Sequence, residues 1–297
     1  MCGNPYRSRV RPLAPSEAMT SPAILRYTAF TDTPEGGNPA GVVLDAGALS
    51  DAAMQQIAAD LGYSESAFVT PREDGGYDVR YFSPAREVPF CGHATIATAV
   101  ALAERDGAGP LTFHTPAGVV PVATQGANGS ISATLTSVAP RVEDVPGDLL
   151  ADALAALGWS AGDLDPAIPP KVSYAGARHL ILGAATRERL RDLDYDFEAL
   201  KATMQRHELI TVDLVQREAE TTFHARNPFP VGGVVEDPAT GAAAAAFGAY
   251  LRDQKLITPP ATVTVHQGVD MGRPSLLTIA IDQDTPEIRV SGRAVAM

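Results

Sequence analysis

Two distant stretches of this chain follow one plan, and that plan limits the fold more than any other feature. The first is Glu87-Val-Pro-Phe-Cys-Gly-His-Ala-Thr-Ile-Ala-Thr-Ala-Val-Ala-Leu. The second is Val235-Glu-Asp-Pro-Ala-Thr-Gly-Ala-Ala-Ala-Ala-Ala-Phe-Gly-Ala-Tyr-Leu. Each reads as a strand-like lead-in, a polar hinge containing Ala-Thr, and an alanine-rich helix. Helices apolar on every side are buried helices. A helix start presents unpaired backbone N–H groups and the positive end of the helix dipole, a ready site for a carboxylate. Two such starts predict a duplicated architecture with one site between its halves.

The 297 residues suffice for two ordinary domains or one pseudo-symmetric pair. An apolar fraction of 45% supplies sizeable cores. The formal net charge of −12 argues against nucleic acid or an anionic membrane as partner. Two cysteines, Cys2 and Cys91, make no disulfide framework and fit a reducing compartment. No apolar run approaches the roughly 18 residues of a membrane span. Residues 1–20 read as an unstructured extension, with Met19 as an alternative initiator and no apolar signal core. The expected location is therefore the cytoplasm.

Periodicity gives an α+β order. Ile24 to Thr31 reads as a strand, and Thr33 to Gly41 as a turn rich in Gly, Pro and Asn. Val42 to Leu44 returns as a strand, and Ser50 caps a helix that Gly62 stops. Ser66 to Thr70 and Tyr77 to Phe82 read as a hairpin, and Leu111 to Val122 and Ser130 to Thr136 as strands. A linker spans Pro140 to Pro146. Residues 21–138 and 146–297 then form two halves, each a curved, mostly antiparallel sheet around its own alanine-rich helix. The last strand is a candidate to return to the first half.

Glu65 stands between a helix end and the apolar Ala67-Phe68. A partly desolvated carboxylate there suits proton exchange near neutral pH, although position alone favours a solvated strand-entry glutamate. Asp237, before Pro238, fits a helix cap or a site carboxylate. His93, in the first turn of a helix, is expected to be neutral. Cys91 reads either as a thiol activated by the helix start or as a small buried hydrophobe. No spaced His/Cys/carboxylate set resembles a metal site, and no phosphate loop or Gly-x-Ser-x-Gly elbow is present. His114, His207, His224 and His266 read as structural, and His179, opening a second-half strand, is at most a minor candidate for the cleft.

Six motifs in register resemble the phenazine-biosynthesis PhzF-like family of isomerases and epimerases. They are Gly37-Asn-Pro-Ala-Gly-Val-Val, Tyr63-Ser-Glu-Ser-Ala-Phe-Val, Arg80-Tyr-Phe-Ser-Pro, Glu87-Val-Pro-Phe-Cys-Gly-His-Ala-Thr, Glu236-Asp-Pro-Ala-Thr-Gly and Gln267-Gly-Val-Asp-Met-Gly-Arg-Pro-Ser. The resemblance implies two diaminopimelate-epimerase-like halves, often a homodimer, and proton transfer without a cofactor on a small anionic cyclic substrate. It implies Glu65 as the general acid/base, assisted by His93 and Asp237. Substrate contacts are implied at Ser64, Cys91, Gly92, Ala94, Thr240, Gly241 and Ala242. Two departures stand out. The family's phenazine enzyme carries serine where this chain has Ala242. Two-thiol epimerases place a cysteine at each helix start, whereas here Asp237 takes the second place opposite Cys91. The rival expectations are an epimerase using Cys91 as base, and a ligand-binding or interaction protein of the same fold without turnover.

Overall fold

Alanine lets a sheet close around a helix, because a methyl group holds the strands away by the least distance a side chain allows. A computed structural model describes residues 22–297, and the expected N-terminal extension lies outside them. The first half runs β1 (Leu25–Ala29), β2 (Asn38–Val43), α1 (Asp51–Leu61), β3 (Glu65–Pro71), β4 (Tyr77–Phe82), β5 (Glu87–Val88), α2 (Gly92–Asp106), β6 (Pro110–Thr115), β7 (Gly118–Ala127) and β8 (Ser130–Thr136). The chain continues through β9 (Arg141–Asp144), α3 (Gly147–Leu157), β10 (Lys171–Tyr174), β11 (Arg178–Gly183), α4 (Arg187–Arg191) and α5 (Phe197–Arg206). It ends with β12 (Thr211–Ala219), β13 (Thr222–Pro228), β14 (Glu236–Asp237), α6 (Gly241–Asp253), β15 (Ala261–Gln267), β16 (Ser275–Ile281) and β17 (Ile288–Ala296). Every residue of α2 from Gly92 to Ala103 is buried, as is all of α6 from Ala243 to Leu251.

The two halves repeat one pairing scheme. β1–β2 and β10–β11 are antiparallel, and β2–β3 and β11–β12 are parallel. β3–β4 and β12–β13 are antiparallel, and β4–β6 and β13–β15 are parallel. Each parallel pair is joined through helix, as a same-direction return requires. The buried helices α2 and α6 are the second such crossover in each half. The remaining pairs are antiparallel, so the fold is α+β with a mostly antiparallel sheet.

β17 joins the halves. Its first residues pair with β16, Arg289 to Arg293 pair with β8, and Ala294 to Ala296 pair with β1. That last pairing closes the first-half sheet into a ring around α2. Phe30 stands at the seam with φ of 63°, its N–H on the Arg293 carbonyl and its carbonyl on the Leu276 N–H. Its ring packs on Gly292, where an added Cβ would lie 2.2 Å from a ring carbon.

The structure corrects several sequence expectations. Asn38 to Gly41 is strand, not turn: Pro39 lies beyond the β2–β3 pairing, which begins at Ala40, so its missing N–H breaks no bond there. The expected strand from Leu111 to Val122 is a hairpin, turned at Pro116-Ala117 with Thr115 opposite Gly118. The expected linker contains β9, whose charged residues pair across to β10 through Lys171 and Asp144. A short, solvated strand of this kind has no apolar alternation to reveal it. The helix starts also align differently from the expected echo. Cys91 and Thr240 are the two N-caps, so Thr240, not Asp237, stands in the place of Cys91. Asp237 stands instead where the first half has Val88, because Glu87 and Glu236 each lie five residues before the helix glycine.

Gly292→Ala is expected to cost about 1–3 kcal/mol through the forced shift of Phe30. A urea midpoint unchanged from the parent would contradict the tight seam.

Candidate active site

The two buried helices meet end to end. A Cβ on Gly92 would lie 3.5 Å from the Gly241 Cα, so the two positive helix ends abut. Neither cap makes a side-chain capping bond. The Thr240 hydroxyl instead donates to Asp237 Oδ2 at 2.6 Å. First-turn amides of both helices therefore remain available to an anion. Ala94 lies buried in the first turn of α2 and Ala242 half-buried in that of α6. Both offer only backbone and a methyl group.

Around this junction the chain gathers Glu65, His93, Cys91 and Asp237. Glu65 opens β3, and its Oε2 lies 3.6 Å from His93 Nε2. Ser64 Oγ is 3.3 Å from the same nitrogen. The Cys91 sulfur lies 3.3 Å from His93 Nδ1. Glu65 is the most open of the ionisable groups, its side chain 14% exposed against 5% for His93. Burial pulls the His93 pKa down, outweighing the attraction of Glu65, so the ring is neutral and the pair is a hydrogen-bonding contact rather than an ion pair. Burial pushes Asp237 up to about 7, helped by the Glu65 charge and opposed by hydrogen bonds from Thr240 and Asn38. Burial, reinforced by Glu65, drives the Cys91 thiol well above its ordinary value. It is a thiol, not a thiolate.

Two residues of the site escaped sequence reasoning. Asn38 Nδ2 donates to Asp237 Oδ1 at 2.7 Å and to the Ala239 carbonyl at 3.0 Å, and lies 3.1 Å from His93 Nδ1. Gln267 Nε2 donates to the Asp237 carbonyl at 2.8 Å, while its Oε1 accepts from the Thr240 N–H at 3.0 Å. Asn38 stands in a segment that reads as a turn, and Gln267 opens a motif that carries the family resemblance without a role of its own. Nothing local reveals a buried amide whose partners lie 199 and 201 residues away, as for Asn38, or 27 and 30 away, as for Gln267. Arg273 holds the turn before Asn38 by donating to the carbonyls of Gly36 and Gly37.

Asn38 also sets the His93 tautomer, assigned from the partners rather than from hydrogen positions. Turning the amide over would place its oxygen against two acceptors, so nitrogen faces the site. The two amide hydrogens are taken by Asp237 and Ala239, but an amide nitrogen cannot accept, so Nδ1 carries no hydrogen toward it and its lone pair is left to the Cys91 thiol. The ring hydrogen is on Nε2, toward Glu65 and Ser64. Glu65, Cys91 and His93 also present ligand atoms within 4.8 Å of one another, a donor set suited to zinc. A cation would first have to displace the hydrogens on Nε2 and on the thiol.

The architecture is two-halved, with this cluster of ionisable groups at the junction of the two buried helices. The family model described as "Phenazine biosynthesis-like protein" matches residues 27–297, and the chain belongs to this PhzC-PhzF family. The trans-2,3-dihydro-3-hydroxyanthranilate isomerase of Pseudomonas fluorescens is 34% identical over 272 residues, covering 90% of this chain and 94% of that protein. The uncharacterized isomerase YfhB of Bacillus subtilis is 29% identical over 288 residues, covering 94% and 97%. The crystal structure of a PhzF-family phenazine biosynthesis protein from Bacillus anthracis superposes with a TM-score of 0.83 at 28% identity, covering 92% and 96%.

Asp237→Asn is expected to make the protein more stable at pH 8, because it removes a buried charge. The native Asp237 keeps its proton up to about pH 7, whereas unfolded Asp releases it near 3.8, so native stability falls as pH rises between these values. The advantage of the variant should open from about pH 4 and level off above about pH 7, reaching roughly 2–4 kcal/mol. Parallel pH–stability curves for the two proteins would disprove the raised pKa. Nitrogen-15 spectra of the His93 imidazole should show hydrogen on Nε2, and Asn38→Leu should yield a mixture of tautomers.

Proposed function

We propose that this isomerase moves a proton between carbons of a small cyclic, carboxylate-bearing substrate, with Glu65 as the general acid/base. The observation that carries this reading is the position of Glu65. It is the least enclosed carboxylate of the cluster, and it stands beside two helix starts whose first amides are unclaimed. A substrate carboxylate at those amides is stabilised by both dipoles. Negative charge that develops on it as a neighbouring carbon loses its proton is stabilised by the same fixed N–H groups.

The neutral His93 offers Nε2–H to Glu65, orienting the carboxylate while it is ionised. Once Glu65 has taken a proton, that contact weakens and the proton is released more readily to a second carbon. Asp237, titrating near pH 7, is suited to trade a proton with a substrate heteroatom. Every group in this scheme belongs to the chain, so no cofactor is required. Cys91 is a poor base because its proton is tightly held, and Thr240 at the other helix start supplies no second thiol. This argues against the two-thiol epimerase route.

The named substrate of the Pseudomonas relatives is a ring bearing carboxylate, amine and hydroxyl groups. The substrate of this chain is proposed to share the ring and carboxylate. Ala242, where the family's phenazine enzyme is expected to have serine, removes one hydroxyl contact and points to a different substituent pattern.

Glu65→Gln should reduce turnover and solvent-deuterium incorporation by about 10²–10⁴-fold. Folding and the binding of a cyclic carboxylate should change little. Deuterium incorporation at the parent rate in Glu65→Gln would overturn the assignment.

A further inference from the structure

The proposed chemistry leaves Cys91 without a task, yet the fold sets its thiol beside the candidate base and its imidazole. Glu65 opens β3, Cys91 caps α2, and His93 lies in the first turn of that helix. One ligand atom from each lies within 4.8 Å of the other two. Glu65 Oε2 is 3.6 Å and the Cys91 sulfur 3.8 Å from His93 Nε2. Around a tetrahedral zinc ion with ordinary bond lengths, nitrogen and oxygen ligands stand about 3.4 Å apart, and nitrogen and sulfur about 3.6 Å. Both gaps are therefore close to those of a metal site. The sulfur stands beside the ring, being 3.3 Å from Nδ1 as well. Closing on a cation ahead of Nε2 thus asks for a turn of the Cys91 side chain rather than a shift of backbone.

The donor set selects the ion. Thiolate, imidazole and carboxylate together suit zinc and its softer neighbours, whereas magnesium and calcium take oxygen ligands. Binding balances in protons: the Nε2 hydrogen passes to Nδ1, and the thiol hydrogen leaves to solvent. The positive ends of α2 and α6 oppose a bare cation. A thiolate and an ionised Glu65 carry two negative charges, which cancel those of a divalent ion. Three protein ligands leave a fourth position for water. Spacing along the chain hides this set, because Glu65 reaches the other two through the sheet and not through sequence.

We propose that Glu65, Cys91 and His93 form an inhibitory site for a thiophilic divalent cation of the zinc type, which ligates Glu65 and so halts proton transfer. The binding of the cation stands on the three ligands, and its inhibitory effect rests on the acid/base role proposed above for Glu65. A carboxylate held by a cation has no free lone pair aimed at a substrate carbon. Cys91 is then a ligand through which the site is switched off, not a base.

The test uses the full chain carrying Cys2→Ser, in which Cys91 is the one remaining thiol. Cobalt(II) is the spectroscopic probe, with zinc as its colourless competitor. One equivalent of cobalt should raise a thiolate-to-metal absorption band in the near ultraviolet, which zinc abolishes and magnesium does not. Cys91→Ala should remove the band. Loss of an outer partner of a metal ligand costs about 10–100-fold in affinity, so Glu65→Gln, which removes a ligand, should weaken cobalt binding at least about tenfold. Should Cys91→Ala not fold, Glu65→Gln carries the test, since its side chain is the most open of the three. Saturating zinc should stop solvent-deuterium incorporation into a substrate of the parent, and EDTA should restore it. Absence of the band, or unchanged cobalt affinity in Glu65→Gln, overturns the site and leaves the acid/base role of Glu65 standing. Deuterium incorporation at the parent rate under saturating zinc, with the band present in the cobalt form, overturns the inhibition and that role together.

Discussion

The contact between two helix N-termini governs the rest of this molecule. Bringing Gly92 and Gly241 together sets two positive dipole ends against each other with little water to screen them. Such a junction is stable only where negative charge or its equivalent is near. Glu65 provides part of that compensation, and a bound carboxylate would complete it. The burial that makes the junction strong also raises Asp237 to about 7 and keeps the Cys91 thiol protonated. The proposed anion affinity and proton chemistry thus share one cause.

The halves keep one frame and differ in what it carries. Arg80 pairs with Glu87 and Arg226 with Glu236 at matching places, yet the first pair is solvated and the second buried. Val88 and Asp237, Cys91 and Thr240, and His93 and Ala242 occupy corresponding positions around the two helix starts. The first half therefore supplies the candidate proton carrier and its imidazole. The second supplies a carboxylate and a hydroxyl. Asn38 ties them, donating from a first-half strand to Asp237 and to the backbone before α6. A duplicated fold can host an asymmetric reaction in this way, since each half diverges without disturbing the sheet that holds it.

Much of the architecture is legible in the chain because it rests on local chemistry. Ser50 and Gly62 bound α1 as a cap pair should, with Ser50 Oγ accepting from the Ala53 N–H and Gly62 in the left-handed region. The alanine runs identify two helices that must be buried. Elements that depend on distant partners leave little local trace. Asn38 looks like a turn former until its partners are known. β9 and β10 lack an apolar face of the length that betrays a strand. Ala-Thr recurs at different offsets in the two helix starts, so it misaligns their echo, and only the two caps show that Cys91 answers to Thr240.

The sequence by itself determined the two buried helices, the duplicated order of elements around them and the candidates Glu65, His93 and Asp237. These follow from composition, spacing and motif, which are properties of neighbouring residues. Tertiary structure alone decided which groups meet. It placed the helix ends in contact, chose the His93 tautomer through Asn38 and Cys91, and brought Glu65 beside His93 and the Cys91 thiol. The physical reason is that tautomer, pKa and hydrogen-bond satisfaction belong to an environment assembled from both ends of the chain, not to any segment of it.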